Sequence, residues 1–214
     1  MSITINGNGT ITGISVGGLP DGIVDTDMLA TNAVATAKIA NNAVTSAKTS
    51  EFQRRTISSP VSLNGAGDHI FNLTSGVRSI EIIFENASAG NSNMLLQLRD
   101  AGGTETSGYG YASGLHRATS TGREGSVTNF TSGYETYGLD ADSYKIWGTW
   151  KLWNPTGNTW VAEHIFWGSQ ASDHTFYGNG YKVLSDTITG FNIAAKSGTF
   201  DSGSMTVIQT MGDT

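Results

Sequence analysis

The stretch YKIWGTWKLWNPTGNTWVAEHIFWGS, residues 144–169, has two arms rich in large apolar side chains on either side of Asn-Pro-Thr-Gly-Asn. One face of the first arm carries Tyr144, Ile146, Trp150 and Leu152. Trp147 and Trp153 occupy the opposite face, because successive side chains of a strand point to opposite sides. The pattern predicts a β-hairpin that turns at 154–158, with about half of its tryptophans packed in a core.

The same pattern of alternating apolar residues and turns extends over residues 51–214. In VRSIEIIFENAS, residues 77–88, Ile80, Ile82 and Phe84 alternate with Ser79, Glu81 and Ile83. Turn dipeptides such as Asn64-Gly65 separate the apolar runs, and no helical periodicity is visible. Eight to ten short strands with frequent turns predict a mostly β fold, a β-sandwich or jelly-roll head over 51–214.

Residues 24–48, VDTDMLATNAVATAKIANNAVTSAK, repeat a decad rich in Ala, Thr and Asn. Its larger apolar residues recur every five positions, at Val24, Leu29, Val34, Ile39 and Val44. This spacing fits neither one helical stripe nor one strand face. A single chain buries too little here to offset the entropy of ordering, so we predict a stalk over 24–50 in which copies of the chain pack on each other, either helical or β, with a disordered linker as the alternative.

The segment 1–23 has a different pattern. ITINGNGTITGI, which begins at Ile3, alternates apolar and polar side chains around two Asn-Gly pairs. Asn-Gly is a strong hairpin-turn signal, so 1–23 is predicted to form a small β-hairpin motif. Two strands alone are marginal in water, which suggests that this motif docks on something larger.

Composition excludes several classes of protein. The 214 residues include 28 Gly and no Cys, with 37% hydrophobic and 14% charged residues. A net charge of −6 argues against a nucleic-acid partner, and the lack of Cys excludes disulfides and Cys-ligated metals. The N-terminus lacks the pattern of a signal peptide, and no apolar run is long enough for membrane insertion.

No motif for catalysis stands out. The carboxylates of 51–214 include no marked pair of the kind that a glycosidase needs. The four histidines lack zinc-site spacing, and no nucleophile motif accompanies them: His69, His116, His164 and His174. We therefore predict no enzyme activity, no catalytic residue, no metal and no cofactor.

Candidate binding residues concentrate in GYGYASGLHRATSTGREG, residues 108–125, which we interpret as a long polar loop. Aromatic rings in loops stack on sugars and anchor interfaces, which favours Tyr109 and Tyr111 as receptor contacts. His116, Arg117 and Arg123 add a positive patch, so an acidic surface glycan is a suitable partner. TSGYETYGLD, residues 131–140, contributes two further candidates, Tyr134 and Tyr137.

The run ITINGNGTITGISVGGLPDGIVDTDMLATNAV and the decads that follow it resemble phage tail-fibre and related virion proteins. Residues 76–80, 84–88, 96–100 and 198–207 resemble their C-terminal β-sandwich domains. The resemblance implies a homotrimer in the virion, made in the host cytoplasm, with an attached N-terminus and a distal C-terminal head.

Three functions follow from the pattern and the resemblance together. The first is a short trimeric tail fibre whose head contacts a host surface glycan. The second is a capsid decoration, head fibre or tail adaptor without a specific receptor, and the third is a glycan-modifying head. The expected partners are further copies of the chain, other virion proteins through the N-terminal segment, and the surface glycan.

Overall fold

The computed structural model of the protein describes residues 4–5, 11–12, 34, 39–40, 43, 55–119, 122–139, 144–169 and 174–212. For 4–5, 11–12, 117–119 and 122–127 the description covers the backbone alone. The chain divides into two units, residues 1–49 and residues 50–214. Within the described residues, every regular element is a β-strand.

In the N-terminal unit, β1 (Thr4–Ile5) pairs antiparallel with β2 (Ile11–Thr12). This is the pairing expected of a hairpin within 1–23. Val34 and Ile39 from the predicted stalk are exposed in the single chain. The other three predicted stalk residues, Val24, Leu29 and Val44, lie outside the described residues, so the stalk stays a prediction.

The described part of the C-terminal unit contains fourteen strands, more than the eight to ten short strands predicted from the turn pattern, and ten of them have five residues or more. They are β5 (Asp68–Asn72), β6 (Val77–Ser88), β7 (Met94–Asp100), β9 (Tyr109–Thr119), β10 (Gly122–Phe130), β12 (Lys145–Thr156), β13 (Thr159–Ser169), β14 (His174–Val183), β15 (Gly190–Ala195) and β16 (Ser202–Met211). Four shorter strands are added to them: β3 (Arg55–Ile57), β4 (Val61–Ser62), β8 (Gly103–Thr104) and β11 (Tyr134–Glu135).

These strands form two antiparallel sheets. The larger sheet has nine strands in the order β10-β9-β14-β13-β12-β6-β16-β3, with β4 also paired to β16. The smaller sheet has five strands in the order β11-β7-β15-β5, with β8 also paired to β7. The predicted hairpin of 144–169 is confirmed as β12 and β13, which pair from Lys145↔Ser169 to Thr156↔Thr159.

Alternation along the strands defines one face of the larger sheet that is buried in a shared core. Ile80, Ile82 and Phe84 of β6 are buried, as the sequence pattern predicted. Phe84 packs edge-on against Trp150 of β12 and Phe166 of β13, with ring centroids 6.5 and 5.6 Å away. Core residues from the smaller sheet join the same cluster: Met94, Leu96, Leu98, Tyr134, Phe191 and Ile193.

A β-bulge interrupts the pairing of β6 with both of its neighbours. From Phe84 to Ala87 the chain advances three residues along β6, whereas the paired part of β12 advances only two. The same extra residue appears against β16, where Ser88 and Glu85 pair with Ser202 and Ser204. A bulge carries one unpaired residue and bends the strand, so the central strand of the larger sheet turns at this point.

The interpretation of residues 108–125 as a loop is wrong. Residues 109–119 and 122–130 are the paired strands β9 and β10 at one edge of the larger sheet. Among the glycines that suggested a loop, Gly110 is closely packed, because a Cβ on it would lie 2.7 Å from Tyr181 Cε1 of β14. Its register partner Gly180 is packed more tightly, since a Cβ there would lie 2.1 Å from the Gly110 carbonyl oxygen. Small residues here let neighbouring strands and rings approach each other.

Candidate functional site

Three of the predicted receptor contacts are core residues. Tyr109 and Tyr111 are 3% exposed and Tyr134 is fully buried. The ring of Tyr134, on the smaller sheet, packs edge-on against Tyr109 and Tyr111 of β9, at centroid distances of 5.0 and 5.1 Å. These residues form a tyrosine cluster that joins the two sheets, and their prediction as surface contacts is corrected accordingly.

The hydroxyl groups of the tyrosine cluster are hydrogen-bonded in the interior. Tyr109 accepts a bond from the Leu98 amide at 2.8 Å and donates one to the Glu105 carbonyl at 3.0 Å. Tyr134 donates to the Trp160 carbonyl at 3.0 Å. Burial raises the pKa of all three hydroxyls, so they remain protonated at neutral pH. Their role is to pair buried polar groups of the core.

His164 of β13 is the hydrogen-bond partner of Tyr111, through Nδ1. Its ring stacks on Phe166 at 4.8 Å and meets Trp150 edge-on at 5.0 Å. Complete burial lowers the pKa of His164 from 6.5 to about 3, because a charged imidazolium would lose its hydration. A neutral, enclosed imidazole belongs to the core rather than to an open site.

The other four predicted residues belong to β9, β10 and the segment after β11. His116 is exposed, and its ring meets Tyr177 of β14 edge-on at 5.0 Å. Tyr137 is half-buried beyond β11. Arg117 and Arg123 belong to β9 and β10, where the structure describes only their backbone. Because the tyrosine cluster is buried, it forms no exposed surface with His116.

The larger sheet presents a different candidate, on the face turned away from the core, which we call the outer face. In β13, Trp160, Ala162, His164 and Phe166 point inward. Their neighbours in sequence point outward, and Ile165 is 61% and Trp167 45% exposed. Other large exposed side chains of this face are Ile83, Trp153, Tyr181 and Val183.

The cross-strand register places outer-face side chains of neighbouring strands next to each other. Trp147 and Trp167 are opposite each other on β12 and β13, with ring centroids 5.3 Å apart. A polar row crosses the centre of the same face, from Asn179 through Glu163 and Lys151 to Glu81. Lys151 Nζ lies 3.6 Å from Glu81 Oε1 in an exposed ion pair.

Sequence reasoning identified part of this face. The opposite orientations of Trp147 and Trp153 relative to Trp150 are confirmed, since Trp150 is the buried one of these three. Tyr181 and Val183 were missed because no strand was assigned to 174–183. Alternation in HTFYGNGYKV could have found them, since Thr175, Tyr177, Asn179, Tyr181 and Val183 all lie on one face of that strand.

Buried charged groups connect turns to the sheets. Lys182 of β14 donates to Glu105 Oε2 and to the Ser107 carbonyl, both at 2.8 Å. Glu135 of β11 is fully buried and accepts from Lys196 Nζ at 2.7 Å. Asp100 accepts from the Ser185 hydroxyl at 2.7 Å, and this bond is the main reason that its pKa lies below 3.8. These contacts give the buried charged groups partners of their own, so their burial has a structural explanation.

Metal centres and membrane spans are two further kinds of functional feature. No group of three or more His, Asp or Glu side chains in the described ranges is placed to hold a metal ion. No helix in the same part of the chain has the length and apolar character to span a membrane.

No family model matches this chain, and no match to it was found among curated proteins or among solved structures.

Proposed function

We propose that the protein is a structural component of a tailed phage particle, a short homotrimeric tail fibre whose C-terminal unit contacts a receptor on the host surface. Residues 1–23 attach the fibre to other virion proteins, and the decads of 24–50 wind three chains into a stalk. The two sheets of the C-terminal unit, which share one core, form a β-sandwich head. The sequence resemblance and the decad repeat support the assembly.

The observation that carries the receptor role is the outer face of the larger sheet. Large contiguous apolar patches are uncommon on the surface of soluble monomers and mark interaction sites. Here, exposed aromatic and aliphatic side chains alternate with buried ones on the same strands. Aromatic residues are enriched in binding interfaces. The polar row from Asn179 to Glu81 divides the apolar side chains of this face into two groups, one around Trp147 and Trp167 and one around Trp153 and Tyr181.

The same face supports a second candidate function. A virion decoration or adaptor protein needs a permanent apolar interface, and obligate interfaces are more hydrophobic than transient ones. In a decoration or adaptor protein, the outer face packs on a neighbouring virion protein instead of a receptor. The two functions differ in whether free protein binds host cells.

An adsorption assay separates them. Purified full-length protein, added to host cells before the phage, occupies receptors and slows phage adsorption in a dose-dependent manner. Ile165→Glu places a charge among the exposed apolar residues on the Trp167 side of the outer face and abolishes this competition. Ile70→Glu, at an exposed position of the smaller sheet, is the matched control and leaves competition intact. Lack of competition by the folded wild-type chain contradicts the receptor role and favours the decoration or adaptor.

A further inference from the structure

A shallow trough of about 340 Å³ crosses the edge of the larger sheet over β10, β9 and β14. Its floor is the backbone of β9 at Gly110 together with the small side chain of Ala112. Asn129, Asn179 and Tyr181 stand around this floor. We call this feature the amide trough.

The two asparagines are placed symmetrically. Asn129 of β10 and Asn179 of β14 are both register partners of Ala112, one from each side. Adjacent strands lie ~4.8 Å apart, so the two amide-bearing positions are separated by about 10 Å across a single methyl group. Both residues are exposed, and each amide offers donors and an acceptor.

Tyr181 closes one end of the trough with a restrained ring. A Cβ on Gly110 would lie 2.7 Å from Tyr181 Cε1, so the ring rests directly on the glycine backbone. The other side of the ring is open, since Tyr181 is 53% exposed. An aromatic ring held in this way offers a flat apolar surface at a low cost in conformational entropy.

Every side chain that lines the amide trough is uncharged. A charged ligand finds no ion-pair partner among them. A sugar ring matches the set, because its hydroxyl groups exchange hydrogen bonds with amides while its C–H face packs on an aromatic ring.

We propose that the amide trough binds one neutral pyranose unit of a surface polysaccharide, with its hydroxyls bonded to Asn129 and Asn179 and its apolar face on Tyr181. This inference rests on the proposed receptor-binding function and specifies the receptor chemistry as an uncharged glycan.

A larger cleft, of about 400 Å³, lies at Arg78, Asn154 and Trp160. Its cation is already engaged, because Arg78 Nη1 donates to Asn154 Oδ1. Trp160 is buried and presents no open ring for stacking. The amide trough is therefore the better match for a sugar, and the cleft supplies a control position.

The test measures binding of full-length protein to an immobilised panel of neutral tri- to pentasaccharides of glucose, galactose, mannose and N-acetylglucosamine. Matched oligosaccharides that contain uronic or sialic acid complete the panel. We expect at least one neutral member to bind, with affinity reduced about tenfold or more by Tyr181→Ala and by Asn179→Ala. Tyr181→Phe keeps the ring and retains most of the binding.

Two controls and one competing variant place the site. Ile70→Ala, at an exposed position of the smaller sheet, and Arg78→Ala, in the larger cleft, leave binding unchanged. Trp167→Ala alters the exposed tryptophan pair and tests whether the sugar binds elsewhere on the outer face. The inference is overturned if no neutral sugar binds, if only acidic sugars bind, or if Trp167→Ala or Arg78→Ala removes binding while Tyr181→Ala does not.

The adsorption assay distinguishes this failure from failure of the proposed function. If the wild-type protein and Tyr181→Ala compete with the phage equally well, the receptor role stands and the sugar site is overturned. Tyr181-dependent binding to a neutral sugar without any competition supports the sugar site and contradicts the tail-fibre role.

Discussion

At the scale of single residues, the interior of the C-terminal unit combines aromatic packing with hydrogen-bonded tyrosine hydroxyls. The tyrosine cluster places three hydroxyls between the sheets, and each has a hydrogen-bond partner. Buried polar groups cost free energy unless they are paired, and the bonds of Tyr109 to Leu98 and of Tyr134 to Trp160 join the two sheets, so these two bonds also fix how the sheets align. Substitutions that remove one partner test this directly.

Tyr134→Phe is expected to lower the free energy of unfolding by about 1–2 kcal/mol, because the Trp160 carbonyl loses its bond from the buried hydroxyl. Tyr181→Phe removes an exposed hydroxyl and changes stability by less than about 0.5 kcal/mol. Chemical denaturation of both variants measures the difference. Equal stabilities for the two contradict the proposed role of the tyrosine cluster.

His164 predicts a specific dependence of stability on pH. Its pKa is about 3 in the folded chain and 6.5 as a free side chain. Between these values the unfolded chain binds a proton that the folded chain does not, so stability falls as the pH falls from 6.5 toward 3. The contribution approaches about 1.4 kcal/mol per pH unit.

His164→Gln keeps a polar partner for Tyr111 but cannot titrate, so its stability declines less steeply than that of the wild type over this range. Denaturation curves at pH 7, 6, 5 and 4 give both slopes. Equal slopes contradict a neutral, buried His164. Asp100 adds a separate loss at lower pH in both proteins, since its folded pKa lies below 3.8 and its stabilising charge disappears as the pH falls through that pKa.

At the scale of the elements, the bulge in β6 is the main departure from a regular sheet. Asn86 has φ of 54°, and Gly203 of β16 opposite it has φ of 98°. A Cβ on Gly203 would lie 2.5 Å from the Asn86 carbonyl oxygen and 2.4 Å from the Ala87 Cα. Backbone atoms cannot move aside as a flexible side chain can, so this position requires glycine.

Gly203→Ala is therefore expected to destabilise the protein by about 3 kcal/mol or more. Gly67→Ala is the matched control, because the nearest atom to its added Cβ is the Gly198 carbonyl oxygen at 3.5 Å, an ordinary contact. The control stays within about 1 kcal/mol of the wild type. Thermal unfolding of both variants provides the measurement, and equal destabilisation contradicts a steric requirement at the bulge.

Two hairpins show which elements can be predicted from the sequence pattern alone. The hairpin of 144–169 was predictable because large side chains alternate strictly and a Gly-Asn turn separates the arms. The hairpin of 109–130 was not, because outward positions of β9 at Gly110 and Ala112 carry little or no side chain, and their small size is explained only by neighbouring strands. For the candidate site, alternation alone places Trp147 and Trp153 outside, whereas the amide trough depends on the register between the β9–β10 hairpin and β14, which is distant from it in sequence.

At the scale of the whole molecule, the proposed assembly assigns trimerisation to the decads. One chain has a mass of 22.5 kDa. Full-length protein is expected to sediment at about three times that mass, and a chain truncated to 51–214 as a monomer. Val34→Asn combined with Ile39→Asn weakens the trimer, whereas Ile70→Asn in the C-terminal unit does not. Analytical ultracentrifugation checks all four proteins, and a monomeric full-length chain contradicts the stalk.

The most direct test of the central claim is a subnanometre cryo-electron microscopy map of intact particles of the phage that we propose encodes the chain. The account predicts threefold density for this protein at the tail, with the C-terminal units pointing away from the particle. Density on the capsid surface, or particles that lack the protein altogether, would contradict the tail-fibre function.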